Sequence, residues 1–259
     1  MLAPHCISSV GATIPRMNRD WWGIGASTLA QWVGGLGTIA AVIVALFKDS
    51  LRSWWNKPAL TATCTKQIPW TVRVPLNVFV QGPGQAVGHG TLQIGWSGNC
   101  YFVRIRIENT GRTRAEKVQV SALGLARRGL DGAFVDIPTI LPLNMKWSNS
   151  PPPSAVTVLD GISRGMSTFC DVISLCDPAN PYQPRPPGAD PTRTIGQLQL
   201  EFEPSDGSHL LTPGTYRLRL RIAAANVEPI DRIVAFTHTG TWVQDDVEMR
   251  RDHLVVALT

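Results

Sequence analysis

The chain has 259 residues, of which 44% are hydrophobic and 17% are charged, with a formal net charge of +5. Its five cysteines are an odd number and lack the close spacing of a small disulfide scaffold. This excludes a small disulfide-rich protein and favours a reducing compartment. About 200 residues follow Pro58, enough for one domain with its own core, and they contain no second stretch of bilayer length.

Residues 21–47 near the N-terminus form an uncharged run, whose most apolar part is residues 29–47. As a helix, these 19 residues measure roughly 28 Å, close to the roughly 30 Å of a bilayer's hydrocarbon core. A secretory signal would be shorter and would end at a small-residue cleavage site. A buried helix of a soluble protein would carry a polar face at this length. The run therefore predicts a transmembrane helix. A secretory signal and a buried helix of a soluble protein are the alternatives.

Aromatic and basic residues flank the run as they do at membrane interfaces. The predicted interface anchors are Trp21, Trp22, Lys48, Arg52, Trp54 and Trp55. Because Trp22 to Trp54 would span about 48 Å as one helix, more than a whole bilayer, we expect residues 48–55 to lie along the membrane surface. Pro58 should end the helix. The chain then divides into a tail over residues 1–19, a membrane segment over 20–57 and a domain over 58–259, with Met1 and Met17 as alternative starts.

The basic residues on the two sides of the run predict the orientation. Lys48, Arg52 and Lys57 follow it, whereas only Arg16 and Arg19 precede it. Since the more basic side usually stays in the cytoplasm, we expect an inner-membrane protein with a cytoplasmic C-terminal domain.

Small residues recur along the predicted helix in steps of three or four, which aligns them on one stripe. They are Ala26, Ala30, Gly34, Gly37, Ala41 and Ala45. Such a stripe lets two helices approach closely and predicts a homo-oligomer within the lipid bilayer. The alternative is the ordinary abundance of glycine and alanine in membrane helices.

The rest of the chain shows short segments of alternating apolar and polar residues, separated by turn residues, which predict an all-β antiparallel sandwich. The clearest are "CYFVRIRIEN" (100–109), "AEKVQVSALGL" (115–125), "GTYRLRLRIAA" (214–224) and "DRIVAFTHTG" (231–240). Weaker strand candidates are 60–65, 71–80, 91–96, 156–159, 169–174 and 197–202, and "DDVEMRRDHLVV" (245–256) favours a turn or two of helix.

Two segments are predicted to be loops. One is "QGPGQAVGHG" (81–90) and the other is the proline-rich segment 176–193. The proline-rich loop is either a solvated surface excursion or a polyproline-type ligand for a protein partner.

The segment "RIENTGRTRAEKVQV" (106–120) is similar to the strand–turn–strand signature of immunoglobulin-like domains on bacterial surfaces. The whole layout resembles uncharacterised bacterial single-pass membrane proteins with a C-terminal immunoglobulin-like β-sandwich. The matching parts are residues 36–47, Lys48, Arg52, Pro58, 167–172, 214–226 and 240–249, whereas 67–98 departs and looks like an insertion. The resemblance implies an immunoglobulin-like fold and a bacterial source, and it implies no catalytic residue.

No sequence motif for an enzyme, a cofactor or a structural metal occurs in its required context. We therefore expect a protein that is not an enzyme and binds neither a cofactor nor a structural metal. Two clusters are weak candidates for binding a metal ion. The first is Cys170, Asp171, Cys176 and Asp177, which packed cysteines explain better. The second is Asp245, Asp246 and Glu248, which a solvated turn explains better. A disulfide between Cys170 and Cys176 is an alternative if the domain faces outward.

Arginines form rows on two predicted strands, Arg104 and Arg106 on one and Arg217, Arg219 and Arg221 on another. Their neighbours on the opposite strand face are apolar, so both rows should point away from the core. They are either an ordinary charged outer face or contacts to anionic headgroups or an acidic protein partner. Nucleic acid is not expected as a partner, since no aromatic residues interleave and no recognition motif accompanies the rows.

These features together predict a membrane-anchored binding or sensing protein with a cytoplasmic β-sandwich. The alternative is a membrane effector, for example in bacterial defence, that acts through self-association of its transmembrane helix.

Overall fold

The structure, a computed structural model, describes residues 21–81, 92–138, 142–148 and 156–259. The predicted tail 1–19 and nearly all of the predicted loop 81–90 lie outside these residues. Two compact units emerge, one ending at Trp54 and the other comprising Trp55–Thr259.

The first unit contains one long helix, α1 (Trp21–Trp55), which continues without interruption through the segment predicted to turn along the membrane surface. It ends three residues before Pro58, in agreement with the prediction that this proline stops it. Residues 31–48 are all exposed. The segment Gln31–Lys48 is long and apolar enough to cross a membrane, a test that a signal sequence near an N-terminus would also pass.

The second unit is built from antiparallel strands, as the alternating sequence predicts. The strands are β1 (Leu60–Thr63), β2 (Thr71–Gln81), β3 (Leu92–Asn109), β4 (Ala115–Arg128), β5 (Phe134–Ile137), β6 (Leu143–Asn144), β7 (Val158–Ile162), β8 (Ser167–Cys176), β9 (Gly196–Leu198), β10 (Leu210–Leu211), β11 (Gly214–Ala224), β12 (Val227–His238) and β13 (Leu254–Leu258). A short helix, α2 (Asp246–Glu248), and a π-helical turn (Met249–His253) precede β13. The predicted helical turns near 245–256 are confirmed, whereas β13 was not predicted.

The strands form two sheets with different outlines. In the first, the order is β1-β3-β8-β9-β10, and β2 lies beside β1 on the same edge of β3. In the second, the order is β13-β12-β11-β4, and the short strands β5, β6 and β7 share the outer edge of β4. Every pairing in both sheets is antiparallel.

Apolar residues from both sheets share one core, which gives a sandwich-like arrangement. Strand β11 shows the pattern most clearly, because Tyr216, Leu218 and Leu220 are buried while the arginines between them are exposed. Strand β3 alternates in the same way, with Tyr101 and Ile105 buried. The period of two in the sequence therefore assigned the inner and outer faces of both strands correctly.

A disulfide joins Cys100 on β3 to Cys176 on β8. These residues are register partners on adjacent strands, with Cα atoms 4.0 Å apart. The Cys170–Cys176 alternative is wrong, because Cys170 is a free, buried thiol that faces the core instead. Sequence spacing could not reveal the true pairing, since it depends on the register of two strands distant along the chain.

Candidate functional site

The two predicted arginine rows lie on different sheets. Arg104 and Arg106 are on β3 in the first sheet, and Arg217, Arg219 and Arg221 are on β11 in the second. They therefore belong to two separate surfaces, and each has to be judged by its own neighbours.

Arg104 is half of a largely buried ion pair. Its Nε lies 2.8 Å from Oδ1 of Asp171, and the two side chains are only 15% and 13% exposed. The same carboxylate oxygen accepts a hydrogen bond from the Ser148 hydroxyl. Burial raises the pKa of Asp171, while the bond from Ser148 and the charge of Arg104 oppose that rise. Arg104 thus balances the negative charge of a buried carboxylate. This structural role competes with its predicted role in anion binding.

Arg106 and Arg221 are also neutralised, although at more exposed positions. Arg106 lies 3.1 Å from a carboxylate oxygen of Glu108. Arg221 donates two hydrogen bonds to Asp231, of 2.8 and 2.9 Å, across the β11–β12 pair. Those bonds lower the pKa of Asp231. Neither arginine presents a net positive charge to a partner.

Arg217 and Arg219 are different, because neither forms a salt bridge among the described residues. The guanidinium carbon of Arg217 lies 3.9 Å from the centre of the Phe134 ring, a cation–π contact that fixes the side chain while leaving its charge unbalanced. Arg219 extends over Gly124, where a Cβ atom would lie 2.8 Å from its Nη2. Both residues are exposed on the outer side of β11.

The register partners of this pair are small or apolar residues. The register partners of Arg217 are Ala126 on β4 and Ala235 on β12, and those of Arg219 are Gly124 and Ile233. We call these six residues the arginine face. Two exposed cations without a salt bridge among the described residues, beside small or apolar register partners, can approach an anionic surface.

The acidic cluster near the end of the chain has partners within the protein. Asp245 caps α2 by accepting hydrogen bonds of 2.8 Å from the backbone N–H groups of Val247 and Glu248. Asp246 accepts a hydrogen bond from the Tyr101 hydroxyl and pairs with Arg73 at 3.4 Å. Burial, followed by the contact with Asp246, raises the pKa of Tyr101. These contacts give the carboxylates capping and packing roles, and in the described parts of the chain no group of three or more His, Cys, Asp or Glu residues is placed to hold a metal ion.

The proline-rich loop is closed by its own hydrogen bonds. The Arg185 guanidinium donates to the carbonyl oxygens of Pro178, Asp190 and Arg193 at 2.9 to 3.2 Å. Gln183 is buried and donates to the carbonyl of Ile195. The loop is thus a series of turns folded onto the domain, which favours the surface excursion over a free polyproline ligand.

The predicted residues of the helix are only partly described. Gly34, Gly37, Ala41 and Ala45 are exposed along α1, and no atom would lie within 4 Å of a Cβ placed on either glycine. Lys48 is exposed as well. The remaining stripe and anchor side chains, of Ala26, Ala30, Trp21, Trp22, Arg52, Trp54 and Trp55, lie outside the described side chains.

Comparison with known proteins adds no assignment to this geometry. No protein-family model matches the chain, and neither a curated protein nor a solved structure is significantly similar to it.

Proposed function

We propose that this chain is a membrane-anchored interaction protein whose β domain presents the arginine face to an anionic surface. The observation that carries the proposal is the pair Arg217 and Arg219, which is exposed and without a salt bridge among the described residues. The ring of Phe134 holds Arg217 in place. Helix α1 supplies the proposed anchor, and it supports this role by its length, composition and full exposure over residues 31–48. An anionic headgroup layer is the partner that fits best, because exposed basic residues near a membrane are attracted to anionic lipids.

We also propose that the domain is an immunoglobulin-like sandwich, as the resemblance to bacterial single-pass membrane proteins implies. The two antiparallel sheets over one core support this. A further supporting contact is the hydrogen bond of 2.7 Å from the Tyr216 hydroxyl to the carbonyl of Thr212, four residues upstream. A tyrosine that reaches back in this way is typical of immunoglobulin-like domains.

The orientation of the domain rests on two opposing indications. Basic residues favour a cytoplasmic domain by three to two, since Lys48, Arg52 and Lys57 outnumber Arg16 and Arg19. The Cys100–Cys176 bond favours an oxidising compartment, because disulfides rarely persist in the cytoplasm. A majority of one basic residue is a weak determinant, so we propose that the domain lies on the side of the membrane opposite the cytoplasm.

Vesicle binding tests the arginine face. We expect residues 56–259 to bind phosphatidylglycerol-containing vesicles, to bind neutral phosphatidylcholine vesicles less, and to detach as salt is added. Changing Arg217→Ser together with Arg219→Ser removes about 2 kcal/mol of binding free energy, a loss of affinity of roughly 30-fold. Co-sedimentation measures the binding, and near-UV circular dichroism checks that each variant is folded.

A charge-neutral variant is the matched control. Arg221→Ser combined with Asp231→Ser removes an arginine from the same strand face together with its bonded carboxylate, so the net charge is unchanged. We expect this control to bind like the parent. Equal losses in both double variants, or binding to neutral and anionic vesicles alike, would refute the assignment of the arginine face.

The second candidate function is the membrane effector that acts through helix association, and the open surface beside Gly34 and Gly37 favours it. We expect the segment 20–57 to self-associate in a membrane two-hybrid assay. Gly34→Leu or Gly37→Leu should abolish the signal, because leucine separates helix backbones that pack through small residues. Val42→Leu is the control and should keep the signal. The effector function loses its support if the parent, both glycine variants and the control give the same signal.

A further inference from the structure

Strand β10 is the shortest strand of the first sheet and lies at the end of its strand order. It consists of Leu210 and Leu211, and its neighbour among the described strands is β9. One further backbone hydrogen bond, of 2.9 Å, runs from the N–H of Leu198 to the carbonyl of His209. Because so few hydrogen bonds hold β10, we expect it to separate from β9 at a lower free energy than the long strands of either sheet separate from one another.

The side chain of His238 lies beside this strand pair. His238 is the last residue of β12 and is 1% exposed. Its Nε2 would lie 3.5 Å from a Cβ atom placed on Gly196, the register partner of Leu211 in β9. The imidazole is also nearly parallel to the ring of Tyr216 on β11, with ring centres 6.2 Å apart and 12° between the planes. His238 therefore lies where β9 and β10 of the first sheet meet β11 and β12 of the second.

The surroundings of His238 favour its neutral form. Neither ring nitrogen has a hydrogen-bond partner of good geometry among the described residues. Burial lowers the pKa of His238 to about 4; the backbone of Thr212 and Leu211 opposes this effect, and the charge of Arg127 on β4 adds to it. The adjoining residues of β9, β10 and β13 are uncharged, and β11 contributes the Tyr216 phenol. A proton on His238 would therefore create a buried cation that faces another cation instead of a carboxylate.

A second buried histidine borders β10, and it differs because a carboxylate lies near it. His209 directly precedes Leu210 and is 4% exposed. Its Nε2 lies 3.9 Å from a carboxylate oxygen of Glu203. Burial lowers the pKa of His209, while the charges of Glu203 and Asp206 oppose that effect. A protonated His209 can thus pair with an acid without moving, whereas a protonated His238 has to reach water.

We propose that His238 is an acid-sensitive switch, whose protonation drives β10 away from β9 and opens this end of the sandwich to water. A charge taken out of water is stabilised most by restoring its hydration. Moving β12 would break its pairing with both β11 and β13, whereas moving β10 breaks two register pairs with β9. The strand that yields is therefore β10. The switch goes beyond the proposed arginine face and anchor and depends on neither, since it is built from residues of the β domain alone.

Thiol labelling of the full chain tests the switch. Leu211, which is 2% exposed, is replaced by Leu211→Cys, and Cys6→Ser removes one further thiol. Dithiodipyridine, which still reacts with thiols in acid, is added at neutral and acidic pH, and each rate is corrected with a model thiol. In the open state His238 regains its ordinary pKa of about 6.5, so linkage predicts a corrected labelling rate at pH 5 roughly 30-fold higher than at pH 7.5.

The buried thiol of Cys170 on β8 separates local opening from unfolding of the whole domain. Peptide mapping by mass spectrometry gives its rate in the same sample. We expect the thiol introduced by Leu211→Cys to react at least about ten times faster than Cys170 at pH 5, because local opening requires less free energy than global unfolding. Equal rates at the two positions would show that the domain unfolds as a unit and would overturn the proposed switch.

Histidine variants identify the group that senses acid. His238→Gln cannot titrate, so the rate ratio between pH 5 and pH 7.5 should fall below about 3-fold; His238→Phe, which keeps an aromatic ring beside Tyr216, should behave in the same way. His253→Gln is the matched control, because the His253 ring already contacts the Thr239 hydroxyl at 2.9 Å and lies 3.8 Å from Glu248. It should keep the response of the parent. A parent without an acid response, a response that survives His238→Gln and His238→Phe, or one that His253→Gln abolishes would each reject His238 as the switch.

Discussion

Changing Arg104→Met is expected to lower the free energy of unfolding of the β domain by about 3–5 kcal/mol, because it leaves the buried carboxylate of Asp171 without its cation. Methionine keeps most of the apolar stem, so the loss reports mainly the missing charge and hydrogen bond. Urea unfolding of residues 56–259, followed by tryptophan fluorescence, measures it.

Arg106→Met is the matched control, since it removes the next arginine of the same row from a more exposed pair, whose side chains are 36% and 34% exposed. Solvent screens that pair, and its loss should cost below about 1 kcal/mol. Adding Asp171→Asn to Arg104→Met should recover much of the lost stability, because a neutral amide replaces the unpaired charge. If Arg104→Met costs no more than Arg106→Met, the buried pair is not the stabilising contact that its geometry indicates.

The pH dependence of the Arg104→Met variant has a definite sign. Burial already raises the pKa of Asp171 in the folded domain, and losing Arg104 removes a charge that lowers it. An acid with a raised pKa destabilises the folded state when it is ionised, so its penalty disappears as the pH falls below that pKa. The stability difference between the variant and the parent should therefore shrink on acidification and be largest at neutral pH.

The sequence predicted the alternating faces well, because the requirement to bury apolar residues acts on every second position of a strand. It placed Arg104 and Arg219 on outer faces and could not distinguish their roles. Arg104 meets Asp171 because β3 pairs with β8, with a register shift between Val103 and Arg104. Among the described residues Arg219 forms no salt bridge, and its register partners are Gly124 and Ile233. Such pairings are set by register over long sequence separations, which local patterns do not encode.

The strand pair formed by residues 74–81 and 92–99 shows the same limit from another side. The absence of charge between Arg73 and Arg104 is visible in the sequence, and both of its strand candidates were predicted. That Phe79 and Ile94 remain exposed follows only from how the two sheets are arranged in three dimensions. Strand length and sheet outline together decide which apolar residues remain outside the core.

The disulfide gives the second large effect. Replacing Cys100 and Cys176 with alanine is expected to destabilise the domain by about 4 kcal/mol, since the bond closes a loop with a sequence separation of 76 and so restricts the unfolded chain. Reducing agent should lower the unfolding midpoint of the parent and leave that of the double variant unchanged. Cys170→Ala is the control, because it removes a buried free thiol that closes no loop. A parent whose unfolding midpoint does not respond to reduction would contradict this effect.

The same cysteines report on the orientation of the domain in cells. A membrane-permeant alkylating agent, added before lysis, blocks free thiols and preserves any disulfide that formed in the native compartment. We expect Cys100 and Cys176 to resist alkylation until reductant is added, because the proposed location of the domain is oxidising. The free thiols of Cys64 and Cys170 should react once the protein is denatured, which confirms that the reagent is active. Alkylation of Cys100 and Cys176 without added reductant would place the domain in the cytoplasm, where the majority of basic residues after α1 would keep it.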